Sequence, residues 1–185
     1  WQERLAAKYS DIEWPPTGER LNAESFERYR KAQPGMAIVN HRIRDHTVTA
    51  AVAHPGVMIA SDAVVYIDGK GHPRATGTFA RVLGVYVREK RALSLMDALG
   101  KMTYLPAHRL EAISPAMRAK GRVQVDADAD LTLFNPMTVT DRATYQNPTL
   151  TSAGIPFVIV GGVPVVYRGK IVPAAYPGKG IKSGA

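Results

Sequence analysis

An aspartate that ends a short apolar run is the residue of this chain best placed to do chemistry. Val57-Met58-Ile59-Ala60 follows a His-Pro-Gly stop and leads directly into Ser61-Asp62. Such a run is typical of a strand buried on both faces of a parallel sheet. The carboxyl ends of parallel strands form the active face of α/β proteins, and a carboxylate among apolar neighbours must be ion-paired or bind a metal. Asp62 is therefore either a metal ligand or a structural residue that caps the next segment, and its type alone leaves both open.

A glycine-rich loop from Asp68 to Gly77 follows this aspartate and carries His72-Pro73-Arg74. Arginine presents a planar fork of donors that suits a substrate carboxylate held by two hydrogen bonds. A His-Pro-Arg triplet is more often a surface turn than a site. The loop would lie over the active face if the helix expected over 79–90 packs outside the sheet.

The five histidines give no complete metal site by themselves, because none forms a His-x-His pair. His41 follows the apolar run Met36–Val39, so it either lines the mouth of a pocket or is a polar surface residue. For His54 and His108 we expect a solvent-facing or structural role.

The sequence pattern changes near residue 114. It predicts an α/β part over 1–113 and a β-rich part over 114–185. The order in the first part is helix, strand, helix, strand, which favours parallel βα units. In that part, Ser94-x-x-Asp97 is a capping-box signature. Helices are predicted over 1–9, 22–32, 45–53, 79–90, 94–102 and 106–111. Strands are predicted over 36–40, 57–61, 122–125, 130–134, 155–160, 163–167 and 170–172, with tight turns at Gly161-Gly162 and Arg168-Gly169.

Composition bounds the function classes. The net charge is +8, but no five basic residues stand together, which argues against nucleic-acid binding. A non-catalytic basic β-rich module would need clustered aromatics, whereas Tyr145, Phe157 and Tyr167 are dispersed. No run of 18 apolar residues exists, so we expect no membrane span. Cysteine is absent, which is compatible with the reducing cytoplasm in which we expect the protein.

Several motifs in a fixed order make the chain resemble a known family. Over about residues 36–180 it is similar to the D-aminoacylases and related N-acyl-D-amino-acid deacylases of the amidohydrolase superfamily, whereas the first 35 residues match no family motif. The motifs are Ser61-Asp62, His72-Pro73-Arg74, Gly77-Thr78-Phe79, Arg81-Val82-Leu83-Gly84, Tyr86, Arg88-Glu89, Lys101-Met102-Thr103, Leu105-Pro106-Ala107, Arg109, Gly121-Arg122, Ala129-Asp130-Leu131, Phe134-Asn135-Pro136, Asp141, Ala143-Thr144-Tyr145, Gly154-Ile155 and Pro177-Gly178.

The resemblance implies a fold and a site. The chain would be the C-terminal part of a metal-dependent (β/α)8 TIM barrel, with residues 36–40 as strand seven and 57–61 as strand eight, followed by strands of a small β-sandwich. Asp62 matches a zinc ligand that also acts as general base, and Arg74 matches an arginine that binds the substrate α-carboxylate. His72 lies in the same motif, as a substrate-binding residue of less defined role. One or two zinc ions are implied, with most ligands supplied by sequence upstream of Trp1.

The implied activity is hydrolysis of the amide bond of N-acyl-D-amino acids or a related linear amide. The expected partners are the small-molecule substrate and the missing N-terminal portion of the same protein, with neither nucleic acid nor membrane. A cyclic-amide hydrolase of the hydantoinase or dihydroorotase type is the alternative within the class, and an inactive homologue is a third possibility. The Arg74 loop favours the deacylase, because a linear acyl amino acid has a free α-carboxylate.

Three positions depart from the family pattern. Ala63 stands beside Asp62 where relatives usually carry glycine, which puts the substrate preference in doubt. Asp126 replaces a usual turn glycine, and Gly161-Gly162 replaces an Asn-Gly hairpin. We expect small effects from the last two.

Overall fold

The structure, a computed structural model, describes residues 2–63 and 71–182. The helices are α1 (Gln2–Leu5), α2 (Ala23–Ala32), α3 (Asp45–Ala53), α4 (Arg74–Arg81), α5 (Leu95–Met102) and α6 (Tyr104–Leu110), with 3-10 turns at Tyr9–Asp11 and Pro115–Ala119 and a π-helical segment at Val82–Glu89. The strands are β1 (Ile12–Trp14), β2 (Glu19–Arg20), β3 (Val39–Asn40), β4 (Leu131–Leu133), β5 (Phe157–Val160), β6 (Val163–Tyr167) and β7 (Lys170–Ile171).

Side-chain caps set the starts of two helices that the sequence predicts correctly. The Asn22 side chain accepts a hydrogen bond from the Ser25 backbone N–H at 2.8 Å, and the Ser25 hydroxyl accepts one from Asn22 N–H at 3.0 Å. This reciprocal pair satisfies two backbone donors that the first turn of α2 leaves open. The Ser94 hydroxyl likewise accepts from Asp97 N–H at 3.1 Å and starts α5.

The N-terminal residues form a small unit of their own. Its sheet has the order β2-β1-β3, and both pairings are antiparallel. Ile12, Trp14 and Leu21 are buried at its centre. Tyr29 of α2 stacks on Trp14 with ring centroids 4.6 Å apart, so that burial of flat aromatic surface holds the helix on the sheet.

The main core forms where α4 and its π-helical continuation pack on α5 and on the loop after β4. Its buried residues are Ala80, Val82, Leu83, Tyr86, Ala98 and Val139. Gly84 permits this packing, because a Cβ at that position would lie 2.9 Å from the Val139 carbonyl oxygen. The Arg88 guanidinium then donates to the same carbonyl at 2.6 Å.

The C-terminal sheet has the order β4-β5-β6-β7, and each pairing is antiparallel. Gly161 and Gly162 have φ of +54° and +81°, and Arg168 and Gly169 have φ of +50° and +77°. Left-handed backbone at both central residues is the geometry of a two-residue turn that matches strand twist. Both hairpin predictions are confirmed. Asp126 also has a left-handed backbone, with φ of +64°, which accounts for the preference for glycine at this turn.

The two apolar runs that were expected to be buried parallel strands are not. From the run at 36–40 only Val39–Asn40 is a strand, and it pairs antiparallel with β1. Residues 57–61 form no strand, and the Val57 and Met58 side chains are exposed. A strand is stabilised by a neighbouring strand whose backbone N–H and C=O groups form hydrogen bonds with its own. Among residues 2–63 and 71–182, the run at 57–60 makes one bond of this kind, from Ile59 N–H to the Lys101 carbonyl at 3.0 Å.

Several boundaries also differ from prediction. Of the predicted helix 1–9, residue 1 lies outside the described residues, and among 2–9 the α-helical part is 2–5. The helix expected from Phe79 starts at Arg74, and the one expected from Pro106 starts at Tyr104. Residues 122–125 form no strand. The chain is thus α/β with two small sheets, and the division at 114 stays a prediction. No helix in the described part of the chain is long and apolar enough to cross a lipid bilayer.

Candidate active site

Asp62 lies at the end of the extended segment, just before the residues that the structure leaves undescribed. Its backbone is left-handed, with φ of +48°, a conformation that aspartate adopts more readily than most residues. The prediction that its carboxylate is buried among apolar neighbours is wrong, because its side chain is 80% exposed. The Asp62 side chain is exposed because few described residues pack against this segment, which is also why residues 57–61 form no strand.

Arg74, the first residue of α4, holds Asp62 at two points. Its Nη2 lies 2.7 Å from Asp62 Oδ2, and its Nε donates to the Asp62 backbone carbonyl at 2.9 Å. The structure therefore brings together the two residues that the motifs single out. The guanidinium is about one third exposed and binds the carboxylate through one nitrogen, while its Nε binds the backbone carbonyl.

His72 connects this pair to a second segment of the chain. Its Nδ1 accepts a hydrogen bond from the Arg74 backbone N–H at 3.1 Å, and its Nε2 lies 3.2 Å from the Tyr145 hydroxyl. Burial lowers the pKa of His72, and the nearby charges of Arg74 and His41 lower it further. The ring is therefore neutral at pH 7, and because Nδ1 is an acceptor, its proton is on Nε2 and points to Tyr145.

Tyr145 joins the site to the N-terminal unit. The His41 ring stands edge-on to the Tyr145 ring with centroids 5.1 Å apart. His41 Nε2 lies 2.8 Å from the carboxylate of the buried Glu13, which also accepts from Gln146 Nε2 at 3.0 Å. Burial raises the pKa of Tyr145, and the Glu13 charge adds to this, so the phenol keeps its proton.

Sequence reasoning missed Tyr145 and Glu13 as parts of the site. The only signal for Tyr145 was its place in a family motif. Glu13 carries no such signal, because it lies among the first 35 residues and meets the site only through the fold. His41 is half-buried against Tyr145 and Glu13, and its place at the mouth of a pocket stays a prediction.

A cavity of about 340 Å³ is lined by Glu13, His72, Arg74 and Tyr145, among other residues. Asp62 is not among the described residues that line it, but its partner Arg74 is. The lining residues are Glu13, His72, Pro73, Arg74, Gly77, Thr78, Arg81, Asp141, Ala143, Thr144, Tyr145 and Gln146. Of the two arginines in this lining, Arg81 is paired with Asp141 at 3.2 Å. Arg74 is the one that contacts His72, through its backbone N–H.

Two other histidines are exposed and structural, as predicted. His54 Nδ1 accepts from the Gly56 backbone N–H at 3.1 Å, and its carbonyl accepts from the Lys101 ammonium. His108 lies 3.0 Å from the Glu111 carboxylate. Neither contact points to a ligand.

The described residues do not complete a zinc site by themselves. Within 2–63 and 71–182, no group of three or more His, Cys, Asp or Glu side chains is arranged to hold a metal ion. Zinc in proteins takes three or four protein ligands. Asp62 fits as one oxygen ligand, because its carboxylate is exposed and bound through Oδ2 to a single guanidinium.

Comparison with known proteins gives relatives from one group of enzymes. No family model matches the chain. N-acyl-D-glutamate deacylase from Alcaligenes xylosoxydans xylosoxydans is 40% identical over 160 residues, which are 86% of this chain and 31% of the relative. D-aminoacylase from the same organism is 42% identical over 64% of this chain and 23% of the relative. N-acyl-D-aspartate deacylase, also from that organism, is 38% identical over 74% of this chain and 26% of the relative.

Solved structures give the same result. The N-acyl-D-glutamate deacylase of Bordetella bronchiseptica, in complex with zinc and a phosphonate inhibitor that mimics the tetrahedral intermediate, is 34% identical and superposes with a TM-score of 0.71 over 89% of this chain and 36% of that one. A D-aminoacylase described as defining a novel subset of amidohydrolases is 31% identical, with a TM-score of 0.71 over 88% of this chain and 35% of that one. The chain thus spans about a third of the length of these relatives.

Proposed function

The chain is homologous to the N-acyl-D-amino-acid deacylases of the amidohydrolase family, and from this premise we propose that the whole protein hydrolyses the amide bond of N-acyl-D-amino acids. The observation that carries the proposal is the pairing of Asp62 with Arg74 beside a cavity, in a segment similar to these enzymes. Amide hydrolysis needs a base to activate water and an acid for the departing amine. It also needs the substrate to be held in one orientation.

Arg74 is proposed to bind the substrate α-carboxylate, with His72 beside it. The guanidinium holds the Asp62 carboxylate at 2.7 Å through Nη2 and the Asp62 carbonyl through Nε. When Asp62 turns to a metal, the Nη2 donor is released for another carboxylate, while the Nε bond keeps the guanidinium in place. This exchange accounts for both contacts and favours an anionic linear substrate over a cyclic amide.

Asp62 is proposed as a metal ligand and as the general base. Zinc, when bound, supplies a water of lowered pKa and polarises the substrate carbonyl. The Asp62 carboxylate takes the proton of the attacking water and delivers it to the nitrogen of the leaving amine. One or two zinc ions are expected, with the remaining ligands outside the described residues. A zinc ion is named in the complex of the Bordetella relative.

The remainder of the whole protein is proposed to complete the fold. We propose that in the whole protein residues 36–40 and 57–61 become strands seven and eight of a TIM barrel, although in this structure Val39–Asn40 alone is a strand, and that residues 114–185 belong to a β-sandwich. The exposed side chains of Ile38, Val57 and Met58 support this, because isolated strands would leave such apolar surface in water. A purified 185-residue chain that melts cooperatively as a monomer would contradict this assignment.

The test of the function is Asp62→Asn in the whole protein, assayed with N-acetyl-D-amino acids. Asparagine keeps the size of the side chain but cannot take a proton, so we expect turnover to fall about 10²- to 10⁴-fold. Asp45→Asn is the matched control, because Asp45 is also exposed and ion-paired, at 2.5 Å to Lys90, but lies on α3 away from the cavity. Near-normal turnover of the Asp62→Asn variant, or a preference of the unaltered protein for hydantoins, would refute the proposal.

A further inference from the structure

Tyr145 offers a hydrogen-bond donor to the same cavity that Arg74 lines. The neutral His72 ring has its proton on Nε2, so the ring donates to the Tyr145 oxygen at 3.2 Å. A phenol oxygen that accepts this bond still has its own hydrogen to donate. Within residues 2–63 and 71–182, no second hydrogen-bond partner of the Tyr145 hydroxyl is found, and the cavity is the space beside it.

The surroundings fix the direction of this donor. The Tyr145 ring is held edge-on between the rings of His41 and His72, with centroid distances of 5.1 and 5.0 Å. Glu13 anchors His41 from the far side at 2.8 Å. A phenol held on two sides loses little conformational freedom when it binds a ligand, which makes its hydrogen bond more effective.

The charges around the hydroxyl are mixed, and the arginines among them are the groups that could attract an anion. Arg74 and Arg81 both lie close enough to lower the pKa of Tyr145, although burial and Glu13 raise it overall. Arg81 is paired with Asp141, which lines the cavity beside it, whereas the Arg74 Nη2 donor becomes available to an anion when Asp62 turns to a metal, as proposed above. The Arg74 backbone N–H donates to the same His72 ring that faces Tyr145. Arg74 and Tyr145 also line one cavity, and the guanidinium is close enough to lower the pKa of the phenol.

We propose that Tyr145, held by His72, donates its phenol hydrogen bond to the substrate carboxylate that Arg74 binds. This inference rests on the proposed function, because it names a second group for the same carboxylate. His72 is then a positioning residue, which orients the phenol through Nε2 and the start of α4 through Nδ1.

Tyr145→Phe in the whole protein tests this directly, because it removes one hydroxyl and keeps both ring contacts. A hydrogen bond to a charged group is typically lost at a cost of about 10- to 100-fold in affinity. We expect KM for the best N-acetyl-D-amino acid to rise by this factor with kcat nearly unchanged. For the α-carboxamide of the same compound, whose carbonyl is a neutral acceptor, we expect a clearly smaller rise. Tyr167→Phe, at an exposed ring on β6, is the matched control.

His72→Asn separates orientation from general damage. The Asn oxygen can still accept from the Arg74 N–H two residues on, as Nδ1 does, but the shorter side chain cannot reach Tyr145. We expect a rise in KM similar to that of Tyr145→Phe, and no additional rise in the double variant. Additive effects, an equal loss for acid and carboxamide, or an unchanged KM in Tyr145→Phe would each overturn the inference.

Calorimetric binding of the N-acetyl-D-amino acid and its carboxamide to the unaltered protein separates the two proposals. Binding of the acid without turnover would contradict the proposed hydrolysis but leave the Tyr145 comparison measurable as affinities. Turnover with an affinity that Tyr145→Phe does not change would contradict only the role of Tyr145. If neither compound binds, both proposals are wrong.

Discussion

The C-terminal sheet and the segment at 57–62 contain similar apolar residues but differ in how their backbones are satisfied. In the sheet, β5 pairs with β4 on one side and β6 on the other, and β6 is joined to β5 by a two-residue turn. The segment at 57–62 has no ladder, and side chains hold it instead: Lys101 Nζ donates to the Val57 carbonyl at 2.7 Å, and Arg74 binds Asp62. Strands that pair with close sequence neighbours form from their own residues. A segment whose pairing partners would be distant can have the apolar sequence pattern of a strand and still not form one.

The first prediction concerns the side chain that holds the end of this segment. Arg74→Ala in the whole protein removes both contacts to Asp62 and the proposed carboxylate binding. We expect kcat/KM for N-acyl-D-amino acids to fall about 100-fold or more, chiefly through KM, because a two-point charged contact is lost. Steady-state kinetics measure it.

The matched control is Arg142→Ala. Arg142 also donates through Nε to a backbone carbonyl, that of Thr151 at 2.8 Å, but is exposed and does not line the cavity. Unchanged kinetics in Arg74→Ala would remove this residue from the site.

The second prediction concerns the other anchor of the segment. Lys101 is buried, and its ammonium donates to the carbonyls of His54 and Val57. Lys101→Met keeps the length of the side chain but leaves both carbonyls without this donor, which we expect to cost about 2–3 kcal/mol. Because the loss is local, hydrogen exchange of the Ile59 amide, bonded to the Lys101 carbonyl, should accelerate about 30- to 150-fold.

Lys170→Met on β7 is the control, because this side chain is exposed at the sheet edge. If Ile59 exchanges at the same rate in Lys101→Met and the unaltered protein, the segment is held by something other than Lys101.

The third prediction sharpens the other half of the comparison. Gly162 has φ of +81° with open space around its Cα, so Gly162→Ala is opposed by backbone strain alone. We expect a loss of about 1–2 kcal/mol. Gly100→Ala, in the interior of α5 with equally open space, should instead stabilise by about 0.5–1 kcal/mol, because alanine is the better helix former. Thermal denaturation distinguishes the signs, and a stabilising Gly162→Ala would contradict the turn geometry.

The same contrast explains which features the sequence predicted. Caps at Asn22 and Ser94 and the turns at Gly161-Gly162 and Arg168-Gly169 depend on residues within a few positions, and all four are confirmed. The run at 57–60 shows the apolar pattern of a strand, but a strand also needs a pairing partner, and among the described residues the run has one backbone bond to a distant residue, Lys101.

The site divides in the same way. Asp62, His72 and Arg74 stand within 13 positions and share a motif, so they could be singled out together. Tyr145 contacts His72, which is 73 positions away in the sequence. Glu13 contacts Gln146, the neighbour of Tyr145, across 133 positions. No local pattern marks such contacts, because they result from the packing of the N-terminal unit and the 141–147 loop on α4.

The last prediction concerns pH and the turn between β5 and β6. The Asp130 carboxylate accepts from the Gly161 N–H at 2.7 Å and is paired with Lys120 at 2.5 Å. Lys120, and then the Gly161 N–H, lower the pKa of Asp130 below its ordinary value of 3.8. The folded state therefore binds this proton less readily than the unfolded state, so the contribution to stability is present above pH 3.8 and is lost as the pH falls through the lower folded value.

Because the carboxylate is about one third exposed, solvent screening keeps the contribution below about 1 kcal/mol. Asp130→Asn should lower the melting temperature slightly at pH 7, and this difference should shrink as the pH falls below 3.8, whereas Asp126→Asn at the neighbouring turn should show no such trend. A penalty for Asp130→Asn that does not shrink at all as the pH falls from 3.8 to the acid limit of the fold would mean that the turn is held by shape and not by this charge.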